Sequence, residues 1–321
     1  MPTILLNPLD SVVRHTIQHE SGAELDVLTG RGGCLVGWRV PSVQGKLELL
    51  DGYASAADLQ ERYYSSHCGA RLSPFPNRIK DGQWTWQGKT LQLDKNFPWE
   101  NGHAIHGLLF DLPWSVKDFK ATAEEGILTL ACTYDGNHPG FPFAFYAESR
   151  YTLGAQLFTV ETILRNTGSQ EIPFGEGWHP YFRVQCPIGE AELQMTPFTM
   201  RLEVDDRSIP TGIMVPDDDF AKPTLIGERN LNTCWKFVGP GERAEVLLQN
   251  PSTKLCVRYW QERGPGGYEY IQLYTPPARQ SLAIEPMTCP PDVLNNQLGL
   301  VTLAPGAEHL MRFGSRVEIP V

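Results

Sequence analysis

Positive charge is scarce in this sequence, which has 27 Lys and Arg residues against 37 Asp and Glu residues in a chain of 321. The formal net charge of -10 at pH 7 repels phosphate backbones and anionic membrane surfaces unless a basic patch is concentrated somewhere. No run of Lys or Arg supplies such a patch. We therefore expect neither nucleic acid nor membrane as a partner, and expect a small neutral molecule instead.

Cysteine is also sparse and shows no pattern. The seven cysteines are scattered, odd in number and without a CxxC pair, so they indicate neither a disulfide framework nor a zinc ribbon. The N-terminus lacks a basic stretch followed by an apolar one, and no apolar run approaches the roughly 18 residues of a membrane span. These absences predict free thiols in a cytoplasmic protein.

Helical periodicity is nearly missing. No stretch keeps an apolar i, i+3, i+4, i+7 pattern for more than two turns, and the best short helix candidate is 55–64. The 30 glycines and 26 prolines are spread evenly between short segments rich in Val, Thr, Tyr, Phe and Trp. This pattern is typical of β-strands. The clearest alternating stretches are 83–93, 126–134, 147–153 and 156–165.

The chain is large enough for one extensive core, because β-sandwiches of this size occur as single units and 41% of the residues are hydrophobic. No internal repeat, low-complexity segment or long linker divides it. We predict an all-β protein: a single domain spanning residues 1–321, built as a large antiparallel β-sandwich with few short helices.

The first candidate site residue is His179, in the segment 174–182 (FGEGWHPYF). On a continuous strand, Gly175 and Gly177 share a face with His179 and Tyr181, and the missing side chains of the glycines would leave a hollow for a ligand. Pro180 biases His179 toward an extended conformation. The alternative is a core histidine that donates to a backbone carbonyl.

The second candidate is Glu285, which ends an apolar strand in the sequence LAIEPMTCPPD. Strand interiors disfavour Glu, and Pro286 stiffens the backbone after it, which places the carboxylate near the end of a strand. The alternative is a solvated strand end without a function.

The third candidate is the loop 101–107 (NGHAIHG), which has aromatic residues on both sides, at 96–99 and 110–114. Aromatic faces stack on the C–H surfaces of sugars, and histidine donors reach hydroxyl groups. His103 and His106 also have a spacing that a metal site can use. No further Glu or His follows at a spacing typical of metal ligands, so we expect no metal.

The fourth candidate is the segment 71–79 (RLSPFPNRI), in which a rigid Pro-Phe-Pro stretch precedes Asn77 and Arg78. The planar guanidinium of arginine suits paired contacts to vicinal hydroxyls or to a ring oxygen. The alternative is a salt bridge that covers the end of a sheet.

Together, these segments resemble the aldose 1-epimerase, or galactose mutarotase-like, superfamily. The resemblance runs from about Leu25 to the C-terminus, and it depends on several separated motifs that occur in the same order as in the family. The motifs are SPFPNRI with the following GQWTWQGKTLQL, HGLLFDLPW, the HPG and FPF pieces at 138–143, GEGWHPYF, IPTG at 209–212 and AIEPMTCPPD.

The resemblance implies a galactose mutarotase-like supersandwich with an open sugar cleft and an enzyme that interconverts the α and β anomers of a free aldose. It implies that His179 is the general acid and Glu285 the general base. It also implies that Asn77, Arg78 and His106 contact the sugar. No cofactor is expected, and the protein is expected to be a monomer or a homodimer.

The two proton-transfer groups need suitable pKa values. With ordinary values near 6.5 for His and 4.3 for Glu, His179 is mostly neutral and Glu285 ionised in neutral solution. We hypothesise that the paired carboxylate helps keep the imidazole protonated, and that partial burial keeps the carboxylate basic.

The sequence departs from the family pattern at Asn232, in the segment LNTCWKF, where an Asp that binds sugar hydroxyls is expected. An amide lacks the charge that roughly doubles the strength of a hydrogen bond, so the sugar preference is expected to differ from galactose or glucose. Arg71 is also unusual. It either supports Asn77 structurally or extends the cleft toward an acidic substituent.

Two alternative functions follow. A hexose-6-phosphate mutarotase needs a cluster of positive side chains, for which Arg71, Arg78 and Lys80 are the nearby candidates. A sugar-binding protein without turnover needs the cleft alone. The presence of both His179 and Glu285 disfavours that second alternative, since a pure binder has no use for an acid-base pair.

Overall fold

The alternating segments form twenty-nine β-strands within residues 1–96 and 102–320, the part of the chain that the computed structural model describes. In chain order the strands are β1 Thr3–Leu6, β2 Arg14–Gln18, β3 Glu24–Leu28, β4 Cys34–Ser42, β5 Gly45–Glu48, β6 Leu50–Asp51, β7 Arg71–Leu72, β8 Arg78–Ile79, β9 Gln83–Trp86, β10 Lys89–Gln92, β11 Ala104–Ile105, β12 Ser115–Ala121, β13 Gly126–Tyr134, β14 Phe145–Leu153, β15 Leu157–Asn166, β16 Ile172–Phe174, β17 Gly177–Trp178, β18 Tyr181–Phe182, β19 Glu192–Met195, β20 Thr199–Val204, β21 Pro210–Pro216, β22 Thr224–Leu225, β23 Asn232–Phe237, β24 Arg243–Gln249, β25 Cys256–Glu262, β26 Tyr270–Tyr274, β27 Leu282–Met287, β28 Val301–Leu303 and β29 Glu308–Glu318. The helices are α1 Ala56–Ser66 and α2 Val293–Asn296, with 3-10 turns at Lys80–Gly82, Leu109–Asp111 and Ile188–Glu190.

Two nine-stranded antiparallel sheets dominate the fold. The first, which we call the back sheet, has the order β12-β13-β14-β15-β29-β25-β24-β19-β22. The second, the cleft sheet, has the order β21-β20-β23-β26-β27-β17-β7, and β18 joins it by pairing with β27 and β6. The strands β1 to β5 form a separate antiparallel sheet in sequence order. This architecture confirms the predicted all-β antiparallel sandwich with few helices.

Aromatic side chains fill the space between the back sheet and the cleft sheet. The rings of Trp178 and Phe313 lie 5.6 Å apart between centroids, and those of Phe158 and Phe182 stack at 6.5 Å. All four side chains are fully buried. Burying one such side chain stabilises the fold by about 1.5–3 kcal/mol, so this layer holds the two sheets together.

The predicted strands and hairpins are confirmed. The stretch 126–134 is β13, the stretch 83–93 forms the β9–β10 hairpin, and 147–153 and 156–165 fall within the paired strands β14 and β15.

The predicted helix is also confirmed as α1, Ala56–Ser66. Ser55 caps its first turn by accepting a hydrogen bond from the backbone N–H of Asp58 at 3.1 Å. Leu59 and Tyr63, one turn apart, are its buried residues. No helix among residues 1–96 and 102–320 is long and apolar enough to cross a membrane.

The segment 174–182 is not one continuous strand, which corrects the prediction. It forms β17 and β18, and His179 lies between them. The backbone N–H of His179 donates to the carbonyl of Ala70 at 3.0 Å, and the N–H of Gly69 donates to the carbonyl of His179 at 2.9 Å. Because Pro180 has no N–H to donate, the pairing on one side passes from β7, the partner of β17, to β6, the partner of β18. On the other side, β27 pairs with both β17 and β18. His179 is thus fixed to the segment that follows α1.

Candidate active site

One cleft contains all five site residues that the sequence analysis named. Its lining residues are Ser65, Ser66, His67, Asn77, Arg78, Ile105, His106, His179, Tyr181, Asn232, Gln272, Tyr274 and Glu285.

The alternation of strand β27 places Glu285 in the cleft. Leu282 and Ile284 belong to the core between the sheets, so Glu285 projects from the opposite face of the strand. The side chain is 2% exposed. A carboxylate inside an apolar strand is therefore explained by its cleft-facing position.

His179 meets Glu285 directly. Its Nε2 lies 3.4 Å from Oε1 of Glu285, and its ring stacks on Tyr181 with 4.9 Å between centroids. Nδ1 of His179 and Oε2 of Glu285 are buried and make no hydrogen bond within the described residues. The pair therefore keeps hydrogen-bonding capacity that the protein does not use.

Burial controls the protonation of this pair. It lowers the pKa of His179 to about 3 and raises the pKa of Glu285 well above its ordinary value, although the nearby Arg78 guanidinium opposes the second effect. Desolvation thus disfavours the imidazolium that the sequence analysis predicted. The neutral pair and the ion pair nevertheless contain the same number of exchangeable protons. The proton lies on the carboxyl of Glu285 in the neutral pair and on the imidazole of His179 in the ion pair.

His106 and Asn77 fix each other through their backbones. Both adopt left-handed conformations, with φ of 64° and 57°. The N–H of His106 donates to the carbonyl of Asn77 at 3.0 Å, and the N–H of Asn77 donates to Nδ1 of His106 at 3.2 Å. Burial keeps the pKa of His106 well below its usual value. The neutral ring therefore carries its proton on Nε2 and serves as a hydrogen-bond donor in the cleft.

Asn77 also orients Arg78. Its Oδ1 accepts hydrogen bonds from the backbone N–H and from Nη1 of Arg78, both at 2.9 Å. The Arg78 side chain is buried, and this burial lowers its pKa. Asn77 thus acts as a positioning residue for the guanidinium, in addition to lining the cleft itself.

Arg71 lies outside the cleft, so the prediction that it extends the cleft toward an acidic substituent is wrong. Its side chain is 0% exposed, and its Nε and Nη2 donate to the carboxylate of Glu176 at 2.7 and 3.2 Å. A further donor, Nη1, reaches Oγ of Ser149 at 3.1 Å. These contacts also show that Arg71 does not hydrogen-bond Asn77. It anchors β7 to the interior instead.

The glycines beside His179 have a packing role, which corrects the prediction of a hollow. A Cβ on Gly175 would come within 2.4 Å of Sγ of Cys289, and a Cβ on Gly177 within 2.9 Å of Cβ of Pro76. Both positions are filled by neighbouring side chains. Glycine is required there because those side chains approach the backbone closely.

The aromatic walls also differ from the prediction. Phe110 and Trp114 are buried core residues that do not line the cleft, and residues 97–101 of the predicted loop lie outside the described part of the chain. Tyr181 and Tyr274 line the cleft instead. Strand alternation had placed Tyr181 on the face of His179, whereas the sequence did not reveal Tyr274, because its position in the cleft is set by strand pairing.

His103 does not reach the cleft. Its Nδ1 accepts a hydrogen bond from the backbone N–H of Asp81 at 2.9 Å, so it is a structural histidine. Within the ranges 1–96 and 102–320, no group of three or more His, Cys, Asp or Glu side chains is arranged to hold a metal ion. All seven cysteines are free thiols.

The fold is similar to that of solved galactose mutarotase-like structures. It resembles a galactose mutarotase-like protein from Clostridium acetobutylicum with a TM-score of 0.85 and 17% identity, over 99% of each chain. It also resembles galactose 1-epimerase from Lactobacillus acidophilus NCFM with a TM-score of 0.77 and 19% identity, over 100% of this chain and 99% of that one. At these identities, the likeness shows the fold.

The sequence comparison shows the family. Residues 14–314 match the family model of aldose 1-epimerase, and the chain belongs to that family. A relative described as uncharacterized protein YihR, from Escherichia coli strain K12, is 29% identical over 254 residues, which are 77% of this chain and 78% of the relative. The resemblance drawn from the separated motifs is thus confirmed.

Proposed function

We propose that this protein is an aldose 1-epimerase that interconverts the α and β anomers of a free, unphosphorylated aldose. The observation that carries the proposal is the contact between His179 and Glu285, whose Nε2 and Oε1 lie 3.4 Å apart in a cleft lined by polar and aromatic side chains. Ring opening requires one group to remove the proton of the anomeric hydroxyl and another to protonate the ring oxygen. The two groups are near enough to act on neighbouring oxygens of one sugar.

In the proposed mechanism, the exchangeable proton of the pair resides on His179 when the sugar is poised to react. Glu285 removes the proton of the anomeric hydroxyl, the bond between C1 and the ring oxygen breaks, and His179 protonates that oxygen. The open-chain aldehyde then rotates about its C1–C2 bond. Ring closure on the other face reverses both transfers, so the enzyme returns to its starting protonation state.

The remaining polar groups of the cleft have supporting roles in this proposal. Arg78, oriented by Asn77, and the neutral Nε2–H of His106 donate hydrogen bonds to sugar oxygens. Tyr181 and Tyr274 offer ring surfaces to the C–H groups of the sugar. The free state of all seven cysteines supports a reducing compartment such as the cytoplasm.

The distribution of charge disfavours the alternative hexose-6-phosphate mutarotase. Among the described lining residues, Arg78 is the only Lys or Arg. Arg71 is buried against Glu176, and Lys80 is exposed outside the cleft. A phosphate group would therefore lack the cluster of cations that binds it.

The experiment measures exchange between anomers by NMR or polarimetry over a panel of free aldoses and their 6-phosphates. The proposal expects acceleration for at least one free sugar and much weaker acceleration for its 6-phosphate. Faster turnover of the phosphorylated form would support the phosphate alternative. Saturable binding without acceleration would support a sugar-binding protein, and both outcomes would contradict the proposal.

A further inference from the structure

His67 ends helix α1 in an unusual backbone conformation. As the residue that follows Ala56–Ser66, it has φ 48° and ψ 32°, and its N–H donates to the carbonyl of Tyr63 at 3.0 Å. Glycine is the usual residue at such a left-handed helix end, because a Cβ is strained there. The chain thus carries an imidazole at a position where the backbone alone favours no side chain.

The ring of His67 is packed against other rings at the edge of the cleft. It lies 4.5 Å from the ring of His106 and 5.0 Å from that of Phe110 between centroids. The residue is 3% exposed and lines the cleft. Burial lowers its pKa to about 4, so the imidazole is neutral at physiological pH.

Within residues 1–96 and 102–320, neither ring nitrogen of His67 makes a hydrogen bond to another residue, in contrast to His106, whose Nδ1 accepts from Asn77. A neutral imidazole has one N–H donor and one acceptor nitrogen. The ring lines the cleft, and its nitrogens are not among the fully enclosed unpaired atoms of the described residues, so a molecule in the cleft can reach and pair with them.

Among the described residues, the ring of His67 makes no ring contact with His179. It contacts His106, and the ring of His106 in turn lies 5.4 Å from that of His179. A sugar held by His179 and Glu285 at its anomeric carbon therefore presents a different hydroxyl toward His67. A hydroxyl both donates and accepts, which matches a neutral imidazole, whereas an anionic substituent cannot donate to the acceptor nitrogen.

We propose that His67 is a substrate-contacting residue that binds one non-anomeric hydroxyl of the aldose and contributes to sugar selectivity. The proposal rests on the proposed function for the identity of the ligand. Since this hydroxyl does not react, the contact is made equally in the ground state and the transition state. Its loss therefore raises KM and leaves kcat nearly unchanged.

The experiment compares the wild-type protein with His67→Gly, which fits the left-handed backbone, and His67→Asn, which also tolerates it and keeps a donor and an acceptor. The probes are the free aldose that exchanges fastest and its monodeoxy analogues. We expect His67→Gly to raise KM roughly three- to tenfold, the loss expected for one neutral hydrogen bond, with partial rescue by His67→Asn. One deoxy analogue should be discriminated against by the wild type and not by His67→Gly.

Lys254→Gly is the matched control. Lys254 is an exposed residue with φ 62° whose N–H donates to the carbonyl of Asn250 at 2.8 Å, the same backbone geometry away from the cleft lining. It should leave KM unchanged. A folded His67→Gly variant with wild-type KM and unchanged discrimination against every analogue overturns the proposal.

The proposed function is tested separately in the same samples. NMR titration gives the Kd of each sugar, and exchange spectroscopy gives the rate between anomers. Binding that weakens in His67→Gly, without any exchange in the wild type, supports the role of His67 and overturns the epimerase activity. A wild-type protein that binds no aldose overturns both.

Discussion

Gln272 and Glu285 stand directly opposite each other on the adjacent strands β26 and β27, and both side chains line the cleft. Nε2 of Gln272 also donates to Oδ1 of Asn232 at 2.9 Å. A polar row therefore crosses three strands of the cleft sheet and ends at the proposed general base. This row gives the proposed epimerase chemistry a rigid support, because neighbouring side chains on paired strands have little freedom to separate.

Glu285→Gln is expected to lower the rate of anomer exchange by roughly 10²–10⁴-fold, since it removes the base and keeps the shape of the side chain. The variant should unfold at the same temperature as the wild type or higher, because a neutral amide avoids the desolvation cost of a buried carboxylate. NMR exchange and thermal unfolding measure the two effects. Glu161→Gln, a change in the back sheet outside the cleft, is the control and should keep the wild-type rate.

His179→Asn should reduce exchange as strongly as Glu285→Gln, and the double variant should be no slower than the worse single variant. The reason is that the two groups share one transferred proton, so that removing either one disables both transfers. Rates of the three variants on one sugar give the test. Losses that multiply in the double variant would contradict the coupled pair.

The pH dependence of kcat follows from the number of exchangeable protons on His179 and Glu285. The proposed mechanism requires one proton on the pair, because one group must be free to accept a proton while the other donates one. Burial lowers the pKa of His179 to about 3, so a second proton enters only near that pH and the acid limb should lie there. Burial raises the pKa of Glu285, so the last proton leaves well above the ordinary carboxyl range, and the alkaline limb should follow that raised value. The measurement is a pH–rate profile corrected for uncatalysed mutarotation, with circular dichroism to verify folding. Limbs near 4.3 and 6.5, the ordinary values of Glu and His, would refute this assignment.

Asn232→Asp is expected to strengthen sugar binding, because the side chain is exposed and a carboxylate accepts hydrogen bonds roughly twice as strong as those of an amide. Gln272 can donate to the new carboxylate as it does to the amide, so the geometry should persist. We expect KM to fall several-fold for sugars with a hydroxyl at this position. Comparing KM across epimeric aldoses measures the effect, and an unchanged preference would show that Asn232 does not contact the sugar.

Arg71→Met should destabilise the fold by about 3–5 kcal/mol, because it leaves the carboxylate of Glu176 buried without its partner. The double variant Arg71→Met/Glu176→Gln should recover much of that loss. Denaturant unfolding gives both free energies. KM for free and phosphorylated sugars should stay unchanged in the double variant. A selective change for the phosphorylated sugar would indicate that Arg71 contributes to binding its phosphate group.

Local patterns determined much of what the sequence alone could reveal. Alternation of apolar and polar residues identified β13, β14 and β15, and the short helical pattern at 55–64 identified α1. Separated motifs singled out His179, Glu285, Asn77, Arg78 and His106, which the structure brings into one cleft. These signals are readable because strand alternation and helical periodicity depend on residues close together in the chain.

The tertiary structure alone decided the relationships between distant residues. Arg71 and Glu176 are 105 positions apart, and nothing near either one shows that they form a buried pair. Three further relationships also depend on how separate segments pack. They are the contact of His67 with His106, the register that sets Gln272 opposite Glu285, and the packing of Cys289 against Gly175. Strand register and desolvation depend on every element that packs around a group. For that reason the sequence could name both residues of the proposed acid-base pair and expect a basic carboxylate, whereas the lowered pKa of His179 emerged only from the folded cleft.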